Sequence, residues 1–258
     1  MLLRRLMNHL NAQNWLAVVL DLLIVIVGVF LGFQVNAWNE GRKSEAAEYA
    51  ALIRLHSEAE QVVAYWQFEV QREKELNENR LVLLEVLKSG EMAQDQTSSF
   101  DDAVMRLGHY PHFNPPRTVY DELIAAGGLR TISDAQVRHS VADYATELDF
   151  ASGQLAQFRT NLPTLYAAYQ GRIFSTYEPE RSSKRRFEYD IPALAKDRQF
   201  VSDMVDAVRN QLQFLTFRES VLRRAIKMCE SVSRAIASTC NPVEFSEEEI
   251  QLWDGVNQ

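Results

Sequence analysis

The chain is poor in the residues that bend or crosslink a polypeptide. Its 258 residues include ten glycines, seven prolines and two cysteines, whereas 47% of the residues are hydrophobic. So few turn-forming residues disfavour a sandwich or barrel of short strands and favour long helices. The hydrophobic content is ample for a core. We therefore expect an all-α protein.

The cysteines are too few for a disulfide framework. Cys229 and Cys240 lie eleven positions apart. On one continuous helix that spacing separates them by roughly 16 Å, which is too far for a disulfide bond. We interpret them as one buried thiol and one loop thiol. The sequence leaves open whether either forms a disulfide with another molecule.

A positively charged surface and catalytic motifs are also lacking. The formal net charge of −8 argues against nucleic acid as a partner, because phosphate contacts need a basic face. The chain has no glycine-rich phosphate loop, no HExxH motif and no G-x-S-x-G elbow. His109 and His112 form an HxxH pair on a proline-bounded loop, but nothing assigns Asp101, Asp102 or His139 as a further ligand. We expect no catalytic residue, no metal site, no cofactor and no enzymatic activity.

What the chain does have is a long apolar run near its start. From Trp15 to Trp38 the only formal charge is Asp21, and 23 steps of about 1.5 Å make roughly 34 Å, enough to cross a hydrocarbon core of about 30 Å. The two tryptophans then lie at the membrane interfaces. The alternative is a cleaved signal peptide, since residues 35–37 resemble a cleavage site. We predict a transmembrane helix over 15–38, after a cytoplasmic amphipathic tail over 1–14.

The apolar run carries one small and polar face. Spacings of four and three residues place six positions on one helical stripe, called here the anchor stripe. Gly28 and Gly32 form a small-xxx-small pair, which lets two helix backbones approach closely in lipid. We predict that the stripe packs against another copy of the chain or another membrane protein. Its residues are Asp21, Val25, Gly28, Gly32, Val35 and Asn39.

Two stretches of the chain resemble one known family. The first is GVFLGFQVNAWNEGRK at 28–43, with an acid seven residues before its first glycine; the second is YDELIAAGGLRTISDAQVRHSVADY at 120–144. Both are similar to an uncharacterised family of bacterial single-span membrane proteins, a domain of unknown function. Asp21 stands where that family carries Glu, and Gly32 where alanine is also usual. The resemblance implies a helical protein anchored in the bacterial inner membrane, with no assigned activity.

Residues 39–258 have the pattern of a helical bundle, because apolar residues recur at alternating spacings of three and four residues. Three long helices of similar length predict an antiparallel arrangement. The first stripe is Tyr49, Leu52, His56, Ala59, Val63, Trp66 and Val70; the second is Val137, Val141, Tyr144, Leu148, Ala151, Leu155, Phe158, Leu162, Leu165 and Tyr169; the third is Val201, Val208, Leu212, Leu215, Leu222, Ile226, Cys229 and Ile236.

Local signals punctuate these helices. Ser133 with Gln136 predicts a capping box at the start of the second long helix, which Pro163 should kink. The third helix is expected over 197–238, and Ser246 should begin a short C-terminal helix. Two short helices are expected around 100–107 and 118–126, separated by an irregular segment.

One basic cluster stands out from the acidic background, and it consists of Arg181, Lys184, Arg185 and Arg186. If the first long helix leaves the membrane and the second returns, this loop lies near the bilayer. Each basic side chain there contributes about 1 kcal/mol of attraction to anionic head groups. The alternatives are a solvated loop and a contact with an acidic partner.

The basic residues flanking the span give little information on its orientation. Arg4 and Arg5 on one side balance Arg42 and Lys43 on the other. We place the N terminus in the cytoplasm because a short tail before a first apolar segment acts as a signal anchor. The bundle is then expected in the periplasm.

The leading functional hypothesis is a membrane-anchored scaffold or accessory subunit, and the alternative is a periplasmic ligand-sensing bundle. A continuous dry core would favour the scaffold, whereas a deep polar pocket would favour sensing. A tail of about 14 residues is too short to carry an output domain, so a sensor would act through a membrane partner. A tethered hydrolase would require His109, His112 and an acid in one cleft.

Overall fold

The computed structural model describes residues 15–125, 127–180 and 184–243. Within them the regular structure is helical apart from one β-hairpin, which confirms the all-α class. The helices are α1 Trp15–Ser89, α2 Thr97–Arg106, α3 Thr118–Ala125, α4 Ala135–Arg159, α5 Leu162–Tyr169, α6 Ile191–Lys196 and α7 Arg198–Ala235. The strands are β1 Ile173–Tyr177 and β2 Arg185–Tyr189, and 3₁₀ turns cover Gln94–Gln96 and Gly128–Thr131.

Three predictions fall outside the described residues. They concern the amphipathic tail over 1–14, the position of Arg181, and the helix expected after Ser246.

The chain divides into two units, residues 1–50 and residues 51–258. The described part of the first unit is the beginning of α1. Its large apolar side chains from Val19 to Trp38 are each 48–72% exposed. By length and composition this helix is the candidate for a single membrane span among the described residues.

The second unit has two large apolar clusters with a smaller one. The first joins the α1 residues Leu52–Trp66 to α4 and the end of α7, through contacts that include Val137 and Val232. The second joins Leu83–Leu87 of α1 to α2, α5 and the beginning of α7. The smaller cluster contains Tyr110, Leu155, Phe158 and Phe214, which come from the end of α4, the middle of α7 and the loop after α2.

The order of these contacts gives the helix directions. Along α1, and along α4 and α5, the chain passes from the first cluster to the second, whereas α7 runs back. The predicted antiparallel bundle is therefore not confirmed, because α1 and α4 run the same way. The segment between α1 and α4 brings the chain back to the first cluster before α4 begins. There the Glu58 carboxylate accepts hydrogen bonds from the Val119 and Tyr120 amides at 2.6 and 2.9 Å.

The basic loop belongs to a β-hairpin that the sequence analysis missed. β1 and β2 pair antiparallel, with Ile173 opposite Tyr189 and Tyr177 opposite Arg185. The hairpin packs on the second cluster, where the Phe100 and Tyr189 rings lie 4.8 Å apart. Lys184, Arg185 and Arg186 therefore belong to a hairpin that packs on the second cluster, and not to a loop beside the first cluster. The predicted lipid contact was argued from α1 and α4 running in opposite directions, which they do not; the contact itself stays a prediction.

Two helix boundaries differ from the predictions. Asp134 and not Ser133 is the N-cap of α4, and its carboxylate accepts from the Gln136 and Val137 amides at 2.7 and 3.3 Å. The kink expected at Pro163 is a complete break, with the proline in the first turn of α5. Proline is tolerated there because its missing N–H has no helical partner in any case.

The expectation of two separate thiols is wrong, because Cys229 and Cys240 form an intrachain disulfide with their Cα atoms 5.7 Å apart. α7 ends at Ala235, before the predicted boundary, and Ala237 has a φ of 52°. The premise of one continuous helix therefore fails, and the chain turns back. The returning segment docks on α1, where Thr239 O contacts His56 Nε2 at 3.1 Å and the Asn241 amide donates to Glu60 at 2.8 Å.

Candidate functional site: a buried charged cluster

Ionised side chains occupy the core between the two large apolar clusters. We call this group the charged cluster. Arg80 is 1% exposed, Arg218 is 0% exposed and Glu73 is 2% exposed. Such burial is costly unless each charge is paired and hydrogen-bonded. The cluster comprises Glu69, Arg72, Glu73, Asn77 and Arg80 of α1, with Gln211 and Arg218 of α7.

Arg218 joins α7 to α1 through one nitrogen. Its Nη1 donates to the Glu69 backbone carbonyl at 3.1 Å and lies 3.1 Å from Glu69 Oε2 and 3.0 Å from Glu73 Oε2. The guanidinium carbon lies 4.4 Å from the centroid of the Phe214 ring and 5.9 Å from that of Phe113. Aromatic rings and both carboxylates thus hold this cation away from water.

Arg80 binds the other oxygen of the same carboxylate. Its Nη1 contacts Glu73 Oε1 and donates to Asn77 Oδ1 at 2.7 Å, while its Nη2 donates to the Arg106 carbonyl at 3.4 Å. Glu73 is therefore shared by two buried arginines. Glu69 is likewise shared by Arg218 and by Arg72, which lies 2.9 Å away.

The hydrogen bonding of the charged cluster is incomplete. Arg218 Nε, Arg218 Nη2, Arg80 Nε and Asn77 Nδ2 are buried donors without a partner, and Gln211 Oε1 is a buried acceptor without one. The Gln211 amide nitrogen donates to the Leu107 carbonyl at 2.6 Å, which fixes the orientation of that side chain. An unpaired buried donor is unfavourable and calls for an explanation.

Neighbouring titratable groups report the electrostatics. Burial lowers the pKa of His109 below its ordinary 6.5, and the positive charges of Arg72, Arg106 and Arg218 lower it further against an opposing effect of Glu73. Burial raises the pKa of Tyr65 to about 12 and that of Tyr110 to about 12. These rings are therefore neutral near pH 7.

The charged cluster is not among the predicted sites, because the first predicted apolar stripe ends at Val70. The spacing of three and four continues through Glu73, Asn77, Arg80 and Leu84. A continuous helical face that turns polar in its middle was the available signal.

The third predicted stripe is displaced around α7. Leu212 is 40% exposed, whereas Gln211, Phe214 and Arg218 are buried. The true buried face lies about one residue away, and it shares Val208 and Cys229 with the predicted stripe. A prediction that assigns apolar residues to the buried face prefers Leu to Gln and Arg, so it chose residues beside those that are buried.

The HxxH pair does not gather metal ligands. The Arg159 guanidinium donates to His112 Nε2 at 2.6 Å, and Asp102 accepts from Asn79 and Arg106. His139 lies 3.7 Å from Asp143 on α4. Among the residues that the structure describes, no group of three or more His, Cys, Asp and Glu side chains is arranged to hold a metal ion.

A cleft of about 250 Å³ opens between α4–α5 and α7. Its apolar floor includes Tyr110, Phe158 and Leu162, and its rim includes Asp203 and Arg209. The mixed lining suits a small molecule with an apolar body and polar ends.

The anchor stripe lies in the first unit. Beyond the neighbouring backbone of the helix itself, a Cβ at Gly28 or Gly32 would meet no atom within 4 Å, and Val25 and Val35 are 61% and 63% exposed. At the end of the candidate span, Asn36 donates to Glu40 at 3.0 Å and the Arg42 guanidinium lies 5.2 Å from the centroid of the Trp38 ring. The glycines therefore leave the helix surface open.

Comparison of the chain with known protein families, curated proteins and solved structures finds no match. The resemblance to the single-span family therefore stays a prediction.

Proposed function

We propose that the protein is a non-enzymatic scaffold or accessory subunit, anchored by one span in the bacterial inner membrane with its bundle in the periplasm. The observation that carries the proposal is the exposed anchor stripe, in which Gly28 and Gly32 leave room for a second helix backbone. In lipid, close packing and polar contacts drive helix association. The occupant is another copy of the chain or another membrane protein.

The disulfide supports the periplasmic location. Cys229 and Cys240 are bonded to each other, and such bonds persist in oxidising compartments but are rare in the cytosol. This argument is independent of the flanking charges, which are nearly balanced.

Replacement of both glycines by isoleucine tests the association. We expect Gly28→Ile with Gly32→Ile to insert normally but to lower the yield of crosslinked species in native membranes about fivefold, equivalent to about 1 kcal/mol. The matched control is Leu23→Ile with Val27→Ile, which has the same spacing on another face. Equal yields from the two double variants would show that the anchor stripe carries no association.

Ligand sensing is the second candidate, and the cleft beside Phe158 and Arg209 favours it. It predicts that a small amphipathic molecule raises the melting temperature of the full chain, and that Phe158→Ala abolishes this effect. A library of amino acids, amines and short fatty acids would test this by thermal shift in a non-ionic detergent. No ligand-dependent shift in the wild type would leave the scaffold as the better description.

A further inference from the structure

We propose that the charged cluster contains a binding site for a small monovalent anion of the halide class, with chloride as the physiological occupant. The site is the edge of the Arg218 guanidinium formed by Nε and Nη2, with the Arg80 and Asn77 donors in the same cluster. This inference does not depend on the scaffold function. It follows from the hydrogen bonds that the cluster lacks.

The edge of the Arg218 guanidinium that lacks partners has the geometry by which arginine binds anions. All three close oxygen contacts of this guanidinium involve Nη1, whereas Nε and Nη2, which point along the other edge, have no partner. Two parallel N–H donors on one guanidinium edge form the fork that recognises anions. The Phe214 and Phe113 rings lie close to the guanidinium carbon, so the unused donors are on the edge and not on the face.

The balance of donors and acceptors favours an anion over a neutral ligand. The unpaired donors are Arg218 Nε and Nη2, Arg80 Nε and Asn77 Nδ2, whereas Gln211 Oε1 is the one unpaired acceptor that we find in the cluster. Both buried glutamates already serve two arginines each, so neither has a carboxylate free for these donors. A ligand that only accepts hydrogen bonds satisfies such a surplus.

The enclosure limits the ligand to a small ion. Arg218 is 0% exposed and Arg80 is 1% exposed, and the unpaired atoms are themselves buried. A halide is smaller than a sulfate, a phosphate or an organic carboxylate, so it is the anion that such an enclosed position suits best. In a low-dielectric interior it interacts strongly with the adjacent guanidinium groups.

Thermal unfolding of the full chain in a non-ionic detergent tests the proposal. Chloride is varied from 1 to 300 mM at constant ionic strength, with gluconate as the replacement anion. Because a ligand of the folded state stabilises it by mass action, we expect the melting temperature to rise by about 5 °C with chloride. Arg218→Lys keeps the charge but lacks the fork, and it should lose this response. Arg209→Met, which removes a 75% exposed arginine from the same helix, should retain it.

A second measurement serves if the Arg218 variant does not fold. Crystals of the wild type grown with bromide should show an anomalous peak within hydrogen-bond distance of Arg218 Nε and Nη2. A melting temperature that is equal in chloride and gluconate would overturn the proposal, as would a water molecule without bromide at that edge.

Discussion

Arg80 holds a buried position that only its charge partners make tolerable. Its Nη1 contacts Glu73 and Asn77, and its Nη2 reaches the Arg106 carbonyl, so the side chain ties the distal part of α1 to the end of α2. If Arg80 were removed, the buried carboxylate of Glu73 would lose one of its partners. The free-energy cost of a buried charge without enough partners is larger than that of losing a contact between neutral groups. The stability of the unit therefore depends on each member of the charged cluster.

Arg80→Met should lower the free energy of unfolding by about 3–5 kcal/mol, because it leaves Glu73 with one buried partner instead of two. Urea denaturation of the full chain, followed by tryptophan fluorescence, measures the loss; Trp66 is fully buried and will respond. The control is Arg209→Met, whose partner Asp206 lies 3.8 Å away at an exposed site, and which should change stability by less than about 1 kcal/mol. Equal effects of both substitutions would contradict the importance of the buried pairing.

His109 predicts a pH dependence with a defined sign. Its pKa is lowered by burial and by the neighbouring arginines, so the folded state favours the neutral ring. The unfolded chain binds a proton near pH 6.5, and the stability present above that pH is lost as the pH falls through the folded-state pKa.

His109→Asn should therefore lose less stability than the wild type between pH 7 and pH 5.5. Urea midpoints at several pH values measure the difference. His139→Asn, which alters an 82% exposed ring, serves as the control and should follow the wild-type curve. A His109→Asn curve parallel to that of the wild type would mean that another group causes the acid sensitivity.

At the scale of elements, α5 packs closely against the end of α2 because Gly108 has no side chain. A Cβ at this glycine would lie 3.1 Å from Leu162 Cδ2, 3.2 Å from Leu165 Cδ2 and 3.3 Å from Tyr166 Oη. Leu165 belongs to the second apolar cluster, so it has little freedom to retreat. Because α4 and α5 are separate helices, the first turns of α5 lie against the loop that contains Gly108.

Gly108→Ala should destabilise the protein by about 1–2 kcal/mol through overpacking. Gly153→Ala is the matched substitution in α4, where a Cβ meets no atom within 4 Å, and it should stabilise by up to about 1 kcal/mol. Thermal melts of the two variants should therefore shift in opposite directions. A rise in melting temperature for both variants would show that backbone freedom, and not packing, governs both sites, and a fall for both would contradict the open surface at Gly153.

These elements also show how much of the fold could be predicted from the sequence. Periodicity predicted the buried face of α4, since Val137, Val141 and Tyr144 are all in the core. It missed the face of α7, because a buried Arg218 is favourable only when Glu69 and Glu73 stand opposite, and residues about 150 positions away are not visible in a local pattern. The disulfide was missed for a related reason: the end of α7 at Ala235 determines the distance between the cysteines.

The candidate site divides in the same way. The anchor stripe follows from spacing alone and stays a prediction; at Gly28 and Gly32 the surface of the helix is open. Only the α1 part of the charged cluster has a signal in the local spacing, because its other donors and acceptors come from α7, from the end of α2 and from the loop after it. Local composition fixes the faces of a helix, but the direction of each helix sets which faces meet.

At the scale of the whole molecule, redox state and membrane orientation are linked. The disulfide joins Cys240, which follows α7, to Cys229 in the last part of that helix. The segment that contains Cys240 also contacts His56 and Glu60 of α1. Glutathione and thioredoxin keep cytosolic thiols reduced, whereas the periplasm is oxidising. A bundle in the periplasm should therefore contain the disulfide in nearly every copy.

Thiol labelling in intact bacteria tests this orientation without a fusion protein. Cells are quenched in acid, and the chain is labelled with a mass-tagged maleimide before or after reduction. We expect no tag before reduction and two tags after it, since no other cysteine occurs in the chain. In Cys229→Ser, the partly exposed Cys240 should accept one tag without reduction, and a membrane-impermeant maleimide should reach it once the outer membrane is opened. Two tags on the unreduced wild type, together with labelling of Cys229→Ser only after the inner membrane is opened, would place the bundle in the cytoplasm.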